Sequence, residues 1–151
     1  MDKNVQKVYE SFVELYSSSG LSTSAAKIIS WLTVCDPSEQ TVEDIRKATG
    51  VSAGVLSESL RMFVKVELVN LYKKPGSRKH YYEMTEDNFL KTTSKSFQST
   101  KKYRAAAIAG LEKLPNNKRL SSMHNFYDFL SPRLDSLIEE YKKELSQNTE
   151  S

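Results

Sequence analysis

Apolar side chains recur every three or four residues from the start of the chain. Val5, Val8, Tyr9, Phe12, Val13 and Tyr16 fall on one stripe, which predicts an amphipathic helix ending near Ser17 to Gly20. A second helix is predicted from about Ser24 to Val34, carrying Ala25, Ile28, Ile29, Trp31 and Leu32. Asp36 and Pro37 end it, because proline disfavours helical geometry in the residue before it. Thr41 is a good N-cap with Asp44 in the capping-box place, and the short helix it opens runs to about Ala48 before Gly50 breaks it. Ser52 can cap the next helix. Leu56, Ser59, Leu60, Phe63 and Val66 form its inner face, leaving Ala53, Gly54, Ser57, Glu58, Arg61 and Met62 outside.

After Leu68 the period shortens to two. Val69 and Leu71, a turn at Lys74-Pro75-Gly76-Ser77, and the run from Lys79 to Met84 read as a β-hairpin. Thr85 is placed to cap a further helix, with Glu86 and Asp87 in its first turn, running with interruptions through Phe89, Leu90, Phe97 and Tyr103 to about Leu114. The last helix is the most regular. Leu120, Met123, Phe126, Tyr127, Leu130, Leu134, Leu137, Ile138, Tyr141 and Leu145 share one face, with Pro132 a candidate kink. The final QNTES is expected to fray.

Composition narrows the function. At 151 residues and 38% hydrophobic content the chain suits a small reader with helical arms, and a net charge of +3 says little about partners until the charges are placed. Cys35 is the only cysteine, and His80 and His124 stand far apart, so neither a disulfide framework nor a zinc knuckle can be built. Charge in MDKNVQKVYE interrupts any secretory signal, and no apolar run is long enough to span a bilayer, so a cytoplasmic protein is expected. A glycine-rich phosphate loop, metal-ligand spacing and a nucleophile-histidine pattern are all missing, which argues against an enzyme, and no cofactor or metal is expected.

The order helix, helix, glycine turn, helix, hairpin is the anatomy of a winged helix-turn-helix, whose second helix enters the major groove of DNA. Ser52, Ala53 and Gly54 would let the helix start approach a phosphate closely, while Ser57, Glu58 and Arg61 would face base edges. Arg61 could pair with guanine and Glu58 could accept from cytosine. Lys73, Lys74, Arg78 and Lys79 make the hairpin a basic wing with no acid among them, and Arg78 is the best candidate for minor-groove insertion.

The stretch TVEDIRKATGVSAGVLSESLRMFVKVELVNLYKKPGSRKHYYEM resembles the reader of the MarR superfamily. SAAKIISWLTVCDPSEQT before it, with PGSRKHYYEM in the wing, resembles in particular the GbsR branch, whose members regulate osmoprotectant genes. The similarity covers most of residues 20 to 115. It implies a homodimer whose N- and C-terminal helices interlock, a recognition helix in each half-site, and in some members a small ligand between dimer platform and reader. Three positions depart from the family pattern. Ala53 and Glu58 stand where basic residues are common, and Glu67 stands where glycine usually ends the recognition helix. Glu67 must then close the helix with a Cβ present, in left-handed geometry at about 1 kcal/mol.

The expected fold is therefore mainly α with a small β-hairpin wing: an N-terminal dimerisation helix (1–20), a winged helix-turn-helix (21–84) and a C-terminal helical dimerisation region (85–151). Val5, Val8, Phe12, Met123, Phe126, Tyr127, Leu130, Leu134, Leu137, Ile138 and Tyr141 are the expected dimer residues. The acidic Asp135, Glu139, Glu140 and Glu144 favour a partner helix over a membrane surface. The aromatic residues, with Trp31, Tyr16 and Tyr103 foremost, could line a cage for a quaternary ammonium osmoprotectant, although aromatics at helical spacing more often form packing. The expected function is a homodimeric regulator of transcription, a repressor, on double-stranded DNA. The rival is a winged helix that binds protein, favoured by Met62, Val64 and Glu58.

Overall fold

A computed structural model describes residues 1–149. Six helices and one hairpin follow in the order α1 (Lys3–Ser18), α2 (Thr23–Val34), α3 (Val42–Thr49), α4 (Ala53–Lys65), β1 (Asn70–Lys73), β2 (His80–Glu83), α5 (Asn88–Lys113) and α6 (Lys118–Thr149). The chain forms two compact units, the first Met1–Lys91 and the second from Thr92 onward. The division falls inside α5, and α1 packs on α2 within the first unit.

The first unit is built around α2, which is apolar on more than one face. Ala25, Ile28, Ile29 and Leu32 from α2 meet Ile45 of α3, Leu56, Leu60 and Phe63 of α4, and Val51 and Val69 from the connections. The Thr41–Asp44 capping box is complete, each side chain bonding the other's backbone N–H, so α3 starts where expected. Gly50 closes α3 in left-handed geometry at φ 67°. Ser52 takes the N-cap place of α4, but its hydroxyl makes no capping hydrogen bond. Val66 is the C-cap of α4 and is exposed, not part of the inner face, because the helix has ended before it can turn inward.

The hairpin pairs Asn70 with Glu83 through Lys73 with His80 in antiparallel register. A third segment extends this sheet: Gln40, just before α3, exchanges backbone hydrogen bonds with Tyr82 at 2.9 and 2.8 Å. Glu86 and Asp87 form a turn ahead of α5, not its first turn, since the Asn88 N–H bonds back to the Thr85 carbonyl. From Asn88 the helix runs without the expected interruptions.

In the second unit α5 and α6 form an antiparallel pair. Thr100 and Ser131 share a buried hydroxyl bond at 2.8 Å, with the ion pairs Lys101–Asp135 and Arg104–Asp128 at the rim. Tyr103 stacks on Tyr127. Near the turn, a Cβ on Gly110 would lie 2.8 Å from Leu120 Cδ1, so glycine lets the helices close together. Pro132 is carried inside a continuous α6. Gln147 to Thr149 are helical where fraying was expected, and Glu150 and Ser151 lie outside the described residues.

Candidate nucleic-acid interface

Ser52, Ala53, Gly54, Ser57, Glu58 and Arg61 are all exposed on α4, because Leu56, Ser59, Leu60 and Phe63 turn the opposite face into the core. The first amides of α4 have no partner within the helix and carry its positive dipole end. They open into a groove of about 480 Å³ lined by Arg46, Gly50, Val51, Ser52 and Ala53. Arg46 was absent from the sequence-derived set; a basic residue in the last turn before Gly50 was the available signal. With it, the α4 start is more cationic than Ala53 alone suggests.

The four wing cations are not equivalent. Lys74 forms an ion pair with Glu39 and lies 4.6 Å from the centre of the Tyr81 ring. Tyr72 donates to the same carboxylate at 2.8 Å. These bonds hold the Glu39 carboxyl below its ordinary range and the Lys74 ammonium above its own. Partial burial, then the Glu39 bond, keeps the Tyr72 phenol protonated far into the alkaline range. Lys74 therefore ties the wing base to the segment before α3, helped by Ser38 donating to Glu83 at 2.6 Å. Lys73, Arg78 and Lys79 are exposed and enter no side-chain hydrogen bond or ion pair among the described residues. Arg78 and Lys79 flank an open groove of about 260 Å³ with Thr41, Val42, Glu43, His80 and Tyr82.

A buried cluster joins helix and wing. Glu67 has φ 61°, the one positive-φ residue other than glycine among the described residues. Asn88, fully buried, donates to the Glu67 carbonyl at 2.9 Å and to Asn70 Oδ1 at 3.0 Å, and accepts from the Thr85 N–H at 2.7 Å and hydroxyl at 2.9 Å.

Trp31, half-buried and donating to Gln40 Oε1 at 2.9 Å, borders a groove of about 440 Å³ whose lining includes Pro37, Glu39, Asp44 and Lys47 but not Tyr16. Tyr16 packs at the first unit's core, and Tyr103 belongs to the second. The expected dimer residues Val8, Met123, Phe126, Leu137 and Tyr141 are exposed, whereas Val5, Phe12, Tyr127, Leu130, Leu134 and Ile138 are half-buried. No group of three or more His, Cys, Asp or Glu among the described residues is placed to hold a metal, and none of their helices is long and apolar enough to cross a membrane.

A solved transcriptional regulator superposes on this chain with a TM-score of 0.83, covering 93% of this chain and 99% of that one at 21% identity. The fold is that of a winged helix-turn-helix regulator. In sequence the chain is similar to the HTH-type transcriptional regulator MmpR5 of Mycobacterium tuberculosis, at 20% identity over 97% of this chain and 92% of that protein. No protein-family model matches it. Both relatives are named as transcriptional regulators, and GbsR is not among their names.

Proposed function

We propose that this chain is a sequence-specific double-stranded DNA-binding regulator of transcription, acting as a homodimeric repressor and not as an enzyme. One arrangement carries the reading: an exposed α4 face that begins beside Arg46 and is followed by a wing whose Lys73, Arg78 and Lys79 are unpaired. Arg46, the α4 start and the wing cations hold phosphates, while Ser57, Glu58 and Arg61 meet base edges. With Glu58 opposing phosphate, the wing supplies much of the electrostatic affinity.

The homodimer reading rests on the apolar side chains that the single chain leaves in water. Phe126 and Leu137 are each 57% exposed, and Met123 and Tyr141 lie on the same helix, a face that a second copy would cover. A quaternary ammonium effector and membership of the GbsR branch are the finest parts of the proposal. Trp31, an aromatic side chain lining an open groove beside the carboxylates of Glu39 and Asp44, supports a cationic effector. Footprinting the purified protein on DNA flanking its own gene, with and without choline, tests the reading. Two symmetric half-sites support it. A single half-site contradicts the dimer, equal protection of all sequences contradicts specificity, and a footprint indifferent to choline removes that effector.

A further inference from the structure

The helix ends of this reader repeat one motif with different residues. At the end of α1, the Leu21 N–H reaches the Tyr16 carbonyl and the Gly20 N–H that of Ser17, with Gly20 at φ 103°. At the end of α4, Leu68 reaches Phe63 and Glu67 reaches Val64 in the same pattern, with Glu67 at φ 61°. Both are Schellman closures, in which the residue after the cap is left-handed. Glycine adopts that geometry without steric cost, whereas at Glu67 the Cβ crowds the backbone. Among the described residues no side chain bonds to Gly20 at the α1 closure, whereas the α4 closure has Asn88.

Asn88 bonds three points that fix the wing: the carbonyl of the left-handed residue, the side chain of the first β1 residue, and Thr85 just beyond β2. Asn70 closes the circuit by donating to the Thr85 hydroxyl at 3.3 Å. The Asn88 end of each of these bonds is fully buried, which shields it from water, while Asn70 and Thr85 are half-buried and Glu67 is exposed. Between the end of α4 at Lys65 and the start of β1 at Asn70 the chain is short, so the backbone angles at Glu67 set the direction in which the wing leaves the helix.

We infer that Asn88 is a positioning residue for DNA binding: it holds the Glu67 corner and so fixes the angle at which the wing cations stand to the recognition helix. The inference rests on the DNA-binding reading and adds a residue that touches no DNA. Helix and wing would engage one duplex together only if that angle is held before binding, since a free wing must be ordered at the moment of contact.

The test uses the full chain with Cys35→Ser and spin labels at Ser57→Cys on α4 and Pro75→Cys at the wing tip, with and without Asn88→Ala. Distances are measured at a temperature where both proteins are folded, on labelled protein refolded with a large excess of unlabelled protein so that each dimer carries at most one labelled copy. In parallel, binding of a mixed-sequence duplex is followed against salt for the unlabelled proteins. The expected result is a single narrow distance that broadens in Asn88→Ala, with duplex affinity about tenfold weaker and a log–log salt slope shallower by about 2, as wing phosphate contacts are lost. Arg78→Ala should then add little to Asn88→Ala while weakening binding in the parent. An unchanged distance distribution overturns the inference. So does a broadened distribution with an unchanged salt slope, because the corner then has no bearing on DNA. A parent protein that binds no duplex at low salt sinks the DNA reading and this inference's functional half with it, whatever the distances show.

Discussion

Replacing Asn88 by alanine should cost far more stability than removing an ordinary polar side chain. Its amide donates two hydrogen bonds, accepts one from the Thr85 N–H and shares the Thr85 hydroxyl proton with Asp87, and the residue is fully buried. Each neutral bond contributes about 1 kcal/mol net, and a buried partner left unpaired costs about 1 to 3 kcal/mol. The Glu67 carbonyl, the Thr85 N–H and Asn70 Oδ1 each lose their bond to Asn88, while the Asn70 amide N–H keeps Thr85 Oγ1. Allowing for water entering the vacated space, the loss should be about 3 kcal/mol, or a fall in Tm of roughly 10 °C for a chain of this size. Urea unfolding followed by circular dichroism measures it. Asn117→Ala is the internal comparison: its side chain accepts from the Arg119 and Leu120 N–H groups at the start of α6, at 3.1 Å each, and should cost only about 1 kcal/mol as a lost cap. An Asn88→Ala loss below about 1 kcal/mol, or no larger than that of Asn117→Ala, would refute the accounting.

Three further outcomes are expected. Ser30 is fully buried in α2 and its hydroxyl has no hydrogen-bond partner, so Ser30→Ala should stabilise the protein by about 1 kcal/mol in the same urea assay; a destabilised variant would mean that the hydroxyl is satisfied in solution. Hydrogen bonds from Thr41 hold the Asp44 carboxyl low, and bonds from Lys91 and Thr85 do the same for Asp87. Because the folded values are depressed, their stabilisation is present above the usual carboxylate range and is lost as pH falls below about 4; Tm should drop there, and less steeply in Asp44→Asn. Burial pushes the Cys35 thiol up to about 11, with the Ser38 and Leu32 carbonyls close by as acceptors. At pH 8 roughly one thiol in a thousand is then ionised, so a disulfide reagent should react about a hundredfold more slowly than with the urea-unfolded chain. Equal rates would show the thiol to be free.

Much of this architecture was legible because the relevant signals are local. The stripe from Val5 to Tyr16, the Thr41–Asp44 box, the Gly50 break and the alternation around Pro75-Gly76 each depend on neighbours within a turn or two, and each element formed within a few residues of its expected place. The left-handed close at Glu67 was legible only through the family resemblance, which places a glycine where this chain has Glu67. Contacts distant in sequence were not. Nothing near Lys74 announces that Glu39, far earlier in the chain, will pair with it, so Lys74 counted with Lys73, Arg78 and Lys79 among the DNA-facing cations. Gln40 joined the sheet through its backbone, which side-chain patterns do not register. Asn88 drew no attention in the sequence, because its burial depends on Glu67, Asn70 and Thr85 converging around it. The aromatic residues were legible as apolar, but their partners were not: nothing near Tyr103 announces that it will stack on Tyr127.

The central claim is that α4 and its wing dock on duplex DNA, and the salt dependence of binding tests it most directly. Affinity for the DNA flanking the protein's own gene should fall linearly in log–log form as salt rises. Arg78→Ala and Lys79→Ala should each shallow the slope by about 1, as one phosphate contact is lost. Lys74→Ala should leave it nearly unchanged, because that ammonium is already held by Glu39. Absence of binding at low salt, or a slope indifferent to Arg78 and Lys79, would contradict the account.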